Sequence, residues 1–438
     1  MKWTAIQSSK DSQTFWEETE VSETTSHPTL TINPDKTYQT WLGFGGALTE
    51  AATYTLDQLP KEKKESILNA YYHPEKGIGY TLGRMHIGSC DFSLEHYDYV
   101  DEKDESLESF TLEHEEKYVL PTLRQVEKIA GQPLTLVASP WSPPAWMKTN
   151  NDRNHGGRLK KEYYQLWADY VVKYLQEMQK KGSTIEVVTI QNEPAAVQTW
   201  DSCEYSIEEE TEMVKVLSKA IKKAKLDTHI AIWDHNRDLI FERADGVLKD
   251  PEANEAVWGV ANHWYMSEDF GELSKVHDKY PDKHLIFTEG CIEGGVDLGA
   301  WHTGERYARN IIGDINNWLE GFIDWNIVLD EKGGPNHVGN YCDAPVIADT
   351  KTGEIHYNSS YYFIGHFSKY IKPGAQRVGM KLENDSLTGV AFKNKDQSIV
   401  IVIQNETDTD EEVTLSIDEK EWTVLLPKHS ITTLKTNE

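Results

Sequence analysis

With 438 residues, 38% of them hydrophobic, the chain can bury one large barrel core or two to three ordinary domain cores without covalent staples. Its formal net charge of −28 at pH 7 argues against a phosphate polymer or an anionic membrane surface as partner, because either would be repelled. A neutral ligand fits that field, and 14 tryptophans and 21 tyrosines supply faces that stack on sugar rings, although most of them belong in a core.

The opening stretch from Met1 to Gln7 lacks the apolar centre of a signal peptide, and no apolar run reaches membrane-spanning length. A cytoplasmic protein with no integral membrane segment is expected. Residues 1–40 are rich in Thr, Ser and Glu around Trp3, Trp16 and Tyr38, which predicts short strands that need a partner sheet. The far end supplies one. Residues 371–438 alternate through Leu387 to Phe392, Ser398 to Ile403, Val413 to Ile417, Trp422 to Leu426 and Ile431 to Leu434, with turns such as Asp418-Glu419-Lys420 between them. Short strands at that spacing predict a β-sandwich, with the acidic run from Glu406 to Glu412 as a solvated hairpin tip.

Between these ends, residues 41–370 alternate strand-like and helix-like segments. After the Trp41 to Gly46 region come strand candidates Tyr80 to Ile87, Thr135 to Ser139, Val187 to Gln191, His229 to Trp233, Gly259 to Trp264, His284 to Thr288 and Phe322 to Val328. Longer segments of 3.6-residue period lie between them, including Leu56 to Tyr71, Glu115 to Ala130, Lys161 to Lys181, Ile207 to Ala224 and Arg306 to Leu319. Eight such units predict an α/β (β/α)₈ barrel, whose chemistry sits at the C-terminal ends of its strands.

Two of those ends carry a glutamate. The run Val187-Val188-Thr189-Ile190 leads to Asn192-Glu193-Pro194, and His284 to Thr288 leads to Glu289-Gly290, on the fourth and seventh strands. A lone acid after a strand is an ordinary loop residue. A matched pair facing one cleft is what glycosidic bond hydrolysis requires. Other polar and aromatic clusters end strands too: Cys90-Asp91-Phe92-Ser93, Ser139 to Trp146 with Trp141, Asn262-His263-Trp264-Tyr265, and Asp324-Trp325-Asn326. Each alone reads as core, but together they ring the rim where substrates bind. Arg84, near the end of the second strand, either holds Glu289 ionised or forms a rim salt bridge.

No cofactor and no metal is expected. Gly43-Phe44-Gly45-Gly46 lacks the Lys-Ser/Thr of a phosphate loop, His263 and His302 have no His-Glu-x-x-His partner, and no Gly-x-Ser-x-Gly elbow occurs. The dispersed Cys90, Cys203, Cys291 and Cys342 read as reduced structural thiols.

The chain resembles glycoside hydrolase family 30, in its glucosylceramidase-like branch. The resemblance rests on Gly43 to Glu50, Ser89 to Ser93, Ala138 to Asn150, Asn192-Glu193-Pro194, His263-Trp264-Tyr265, Thr288 to Cys291, Asp324-Trp325-Asn326 and Gly365 to Lys369. It implies that Glu193 is the acid/base and Glu289 the nucleophile of a retaining β-glycosidase. It further implies that Asp91, Trp141, Asn192, Trp325 and Asn340 line the pocket for the terminal sugar, and that the N-terminal strands join the C-terminal sandwich. Thr288-Glu289-Gly290 stands where lysosomal-type relatives carry Ser-Glu-Ala, which favours a soluble β-glucoside over a sphingolipid. In that mechanism Glu193 should titrate above Glu289, through burial and the neighbouring charge. The alternatives are a β-xylosidase or β-fucosidase, and a non-catalytic carbohydrate-binding barrel.

Overall fold

The computed structural model describes residues 2–27, 29–417 and 420–437, so Asp418 and Glu419 of the expected turn lie outside the described residues. The chain opens with strands β1 (Lys2–Ser9), β2 (Thr14–Thr19), β3 (Ser22–Thr24) and β4 (Leu30–Thr40). Eight parallel strands then close a barrel in chain order: β5 (Gly43–Ala47), β6 (Leu82–Ile87), β7 (Thr135–Pro140), β8 (Ile185–Thr189), β9 (His229–Asn236), β10 (Val257–His263), β11 (His284–Glu289) and β12 (Gly321–Asn326). A small sheet of β13 (Leu329–Asp330), β14 (Val346–Ala348) and β15 (Ile355–Tyr357) follows the last of them.

The side domain is a β-sandwich built from both ends of the chain. Its strands β16 (Gln376–Leu382), β17 (Leu387–Lys393), β18 (Ile399–Asn405), β19 (Glu411–Ile417), β20 (Lys420–Leu426) and β21 (Ser430–Asn437) join β1 to β4 in the order β2-β1-β21-β18-β17-β16-β4-β19-β20-β3. β1 pairs with β21 along its whole length, and Trp3 meets Trp422 edge-on at 6.0 Å in the sandwich core. Here one expectation is corrected. The run Glu406 to Asp410 is not a hairpin tip, because β18 pairs with β17 and β21 whereas β19 pairs with β20 and β4. It is a crossover, and Glu406 is tied to the barrel by a 2.6 Å bond from Arg309, while Asp408 stays exposed.

The first expected helical segment is divided by a proline. The periodicity predicts one helix over Leu56 to Tyr71, yet the chain forms two, Glu50–Asp57 and Lys61–Tyr72. Pro60 cannot donate into a helix interior and pushes the residue before it away from helical geometry. The helix Ile207–Lys223 begins at a capping box made by Ser206 and Glu209. The helix ending at Ala130 stops on Gly131 in the left-handed region, φ 73°. Among the described residues no helix is long and apolar enough to cross a membrane.

The barrel interior is closed by an apolar layer of Leu82, Val137, Val187, Ala231, Ala261, Ile286 and Ile323, one from each of seven strands. Glycine completes it on the eighth: a Cβ on Gly45 would lie 2.1 Å from the Leu82 carbonyl oxygen, so only glycine fits there. Because strand side chains alternate faces, the residues two positions further along each strand point inward again, toward the C-terminal rim. That next layer carries the chemistry.

Candidate active site

Counting two residues on from the apolar layer gives Arg84, Ser139, Thr189, His263, Thr288 and Trp325, all buried. The polar members converge on one carboxylate, Asp234. Its Oδ2 accepts from Ser139 at 2.7 Å, Thr189 at 2.7 Å and Arg84 at 3.0 Å. Its Oδ1 accepts from Thr288 at 2.6 Å and lies 2.9 Å from His263 Nε2. Simple alternation from Ala231 would put Trp233 in this place. Instead Trp233 and Asp234 take left-handed backbone, φ 71° and 51°, and the β9–β10 register skips Asp234. This bulge turns Asp234 inward and sends Trp233 out to the helices, where the Arg243 guanidinium covers its ring at 4.8 Å.

The network holds the two glutamates. Arg84 Nη1 donates to Glu289 Oε2 at 2.6 Å, and Tyr265 donates to Glu289 Oε1 at 2.9 Å. Arg84 also donates to Asn192 Oδ1 at 2.8 Å and lies over the Trp141 ring at 4.8 Å. Glu193 stands four residues beyond β8 in left-handed backbone, φ 51°, where its N–H donates to the Asp234 carbonyl at 2.9 Å. Non-glycine residues in that region are uncommon and cluster at functional sites. The Glu193 carboxylate lies 3.1 Å from His263 Nδ1 and 3.8 Å from His235 Nε2. A carboxylate oxygen of Glu193 and one of Glu289 lie within 4.8 Å of each other.

A cavity of about 240 Å³ opens above this pair. Asp91, Trp141, Asn192, Trp325 and Asn340 all line it, as do Tyr265, Glu193 and Glu289. Trp141 and Trp325 stack at 5.4 Å, and the Asp91 carboxylate accepts from Asn340 at 3.0 Å and Asn336 at 3.3 Å. Burial carries the Asp91 carboxyl up to about 7, despite those two amides. Arg84, which lies beneath the wall, reaches the pocket only through the residues it holds. Cys291 and Cys342 are buried thiols in the same wall, and the other two cysteines are buried and free as well. Gly290 follows Glu289, closely packed in the wall, where a Cβ would run into the Phe287 and Trp264 rings.

The charge distribution reverses one expectation. Burial raises the Glu193 carboxyl, but His235 and His263 outweigh it, and the group titrates below the ordinary glutamate value. Burial likewise raises Glu289, and there His263 and Arg84 offset it only in part, so Glu289 titrates high. The order expected from burial and charge repulsion is therefore inverted, because the imidazoles lie against Glu193. His263 carries the counterpart. Burial lowers its imidazole, while Glu289, Asp234 and Glu193 more than compensate and hold it at about 9.

Residues 41–371 match the family model of the glycosyl hydrolase family 30 TIM-barrel domain, and residues 374–434 match that of the family's β-sandwich domain. The chain belongs to glycosyl hydrolase family 30. It is 35% identical to lysosomal acid glucosylceramidase of Mus musculus over 88% of this chain and 79% of that protein. The crystal structure of SrfJ from Salmonella typhimurium superposes with a TM-score of 0.96 at 35% identity over the full length of both chains. That of an endo-β1,6-glucanase superposes at 0.90 and 31% identity, covering 100% of this chain and 99% of the other. This family 30 glycoside hydrolase therefore acts on a carbohydrate, and its relatives support β-glycosidase activity.

Alternation along the strand does not single out Asp234 and His235 of this family 30 enzyme, although Trp233-Asp234-His235-Asn236 ends its strand in the same polar and aromatic style as the other rim clusters. That style was the available signal. What concealed Asp234 was its parity in the strand, which the bulge reverses.

Proposed function

We propose that this protein is a retaining β-glycosidase that removes a terminal β-linked glucose, with Glu289 as nucleophile and Glu193 as acid/base. The observation that carries the proposal is the approach of the two carboxylates to within 4.8 Å. Retaining sites hold their carboxyls about 5 to 5.5 Å apart, whereas inverting sites need about 6.5 to 9.5 Å to admit a water. The roles follow from the partners. Glu289 accepts from Arg84 and Tyr265 on its two oxygens, which holds the carboxylate in one orientation for attack. Glu193 faces His263, which holds a proton up to about 9.

The proton for the leaving oxygen thus resides on the His263–Glu193 pair. As Glu289 forms its ester with the anomeric carbon, its negative charge disappears, and that charge is the largest influence holding the His263 proton. The proton then passes through Glu193 to the departing glycosidic oxygen. In the second half Glu193 takes a proton from water, whose oxygen attacks the anomeric carbon and releases Glu289. Proton NMR of the first turnovers should show the β-anomer; initial α-anomer would end the retaining assignment.

Specificity is read from the walls. Asp91 and Asn340 line the cavity, and Asn340 and Asn336 both donate to the Asp91 carboxylate, a polar wall that suits a single terminal hexose held by its hydroxyls. The mouth is lined by Gln198, Trp200, Met266 and Glu293, a mixed surface that fits a sugar or aryl aglycone, and the net charge of −28 disfavours an anionic bilayer. β-1,6 linkages are included, given the similarity to an endo-β1,6-glucanase. Aryl β-glucosides and short β-1,6 oligosaccharides should be turned over faster than aryl xylosides or fucosides. Mid-chain cutting of a β-1,6-glucan ahead of glucose release would assign the endo reading instead.

The pH dependence has a definite sign. Glu289 must be ionised, so activity falls as pH drops through a carboxyl value that burial has raised. The His263–Glu193 pair must keep its proton, so activity also falls as pH climbs through about 9. A bell-shaped kcat/KM profile is expected, and His263→Asn should move its basic limb to lower pH by leaving the proton on a carboxyl alone. A basic limb that stayed in place would show that His263 does not hold the acid proton.

A further inference from the structure

Beside the sugar pocket, on the far side of Asp91, three side chains from three different loops meet. His96 follows β6, Asp201 follows the Glu193 loop, and His337 lies between β13 and β14. One ligand atom from each lies within 4.8 Å of the others. The Asp201 carboxylate is 1% exposed and uses its Oδ1 fully, accepting from Arg153 Nε at 2.7 Å and Ser89 at 2.9 Å, with His96 Nδ1 at 3.3 Å. Among the described residues, its Oδ2 has no hydrogen-bond partner. Neither does His337 Nε2, which faces it at 3.6 Å.

The tautomer makes this pair informative. His337 Nδ1 lies 3.1 Å from the Ser93 carbonyl oxygen, which can only accept, so Nδ1 carries the hydrogen. In the neutral ring Nε2 then presents a lone pair to a carboxylate lone pair. In the charged ring its N–H would stand 3.6 Å from the acceptor, too far for a hydrogen bond. Two buried polar atoms left in this way are costly, and a cation that accepts both lone pairs satisfies them together. The local charge agrees. Arg153 is shared between Asp201 and Asp98, which leaves one carboxylate charge over. His96 contributes the third donor, its ring 4.6 Å from that of His337, and its side chain is 40% exposed, which gives an ion a way in.

We propose that His96, Asp201 and His337 form a binding site for a divalent transition metal of the zinc type. Two imidazoles and one carboxylate are the donors zinc and cobalt prefer, and a position is left open toward solvent. The ion would act at a distance from the chemistry. It would fasten together the loops that carry Asp91, Trp200 and Asn340, since the His337 N–H already donates to the Asp91 carbonyl at 3.2 Å. Its role is to position the pocket wall.

The test uses the full-length enzyme stripped with a chelator and dialysed, then titrated with Zn²⁺ and with Co²⁺. One equivalent per chain is expected, with visible Co²⁺ absorption and a rise in Tm on adding Zn²⁺. His96→Ala and His337→Gln should each weaken binding at least about tenfold and abolish the rise in Tm, since loss of a ligand exceeds the loss caused by an outer partner. Glu289→Gln should still bind one ion, which separates this site from the Glu193, His263 and Glu289 cluster. Should the unsubstituted enzyme take up no ion, a water donating to both lone pairs is the occupant and the proposal fails. It also fails if binding survives in the His96→Ala, His337→Gln double variant. Because His96 is half exposed, its substitution leaves the fold intact and keeps the result readable by circular dichroism.

Discussion

Glu289→Gln is expected to abolish turnover of every glycoside, whereas Glu193→Ala is expected to spare the first step on substrates with good leaving groups. The difference comes from what each carboxylate supplies. Without Glu289 no covalent intermediate forms, whatever the aglycone. Loss of Glu193 should cost roughly 10²- to 10⁴-fold where the leaving oxygen needs a proton, the usual span for general acid–base work. A dinitrophenyl glycoside needs none, so its glycosyl-enzyme should form and accumulate for want of a base. Azide, which attacks without deprotonation, should then restore turnover and yield the β-glycosyl azide. Rescue of Glu289→Gln to that β product, with Glu193→Ala inert, would exchange the two roles.

Arg84→Met is expected to lower stability by about 3–5 kcal/mol, the range for removing one partner from a buried ion pair. Arg84 is fully buried, and its guanidinium pairs directly with both Asp234 and Glu289. Burial alone would lower its proton affinity, but those two carboxylates raise it, so it is charged at every pH of interest. Its loss leaves Asp234 with hydroxyl donors and His263, and leaves Glu289 with Tyr265. Urea denaturation should show a lower midpoint, and adding Asp234→Asn should recover part of the loss by removing the uncompensated charge. An unchanged midpoint would mean that water solvates the pair, and Arg84 would then be no more than a rim contact.

Much of this molecule follows from local pattern. Eight apolar strand runs at regular spacing, separated by amphipathic segments, match the closed eight-stranded barrel, in which helices cover the outer face of a parallel sheet and its own side chains fill the inner one. The same pattern placed Glu193 and Glu289 at strand ends on one rim, and they do share a cavity. The two-sided strands at the start of the chain required a partner, and β21 is that partner. Pairing across such a distance was readable only as a need, since alternation names a face to be covered and not the strand that covers it.

The sequence by itself therefore determined the barrel, the two glutamates and most of the aromatic wall around them. Only the tertiary structure decided what lies beneath. A bulge at Trp233 and Asp234 reverses the parity of β9, so the residue that alternation assigns to the outside becomes the acceptor around which Arg84, Ser139, Thr189, His263 and Thr288 gather. The inverted titration of Glu193 and Glu289 was hidden for the same reason. It depends on where two imidazoles sit in space, and electrostatic energies at a few ångströms follow distances across strands, which no spacing along the chain records.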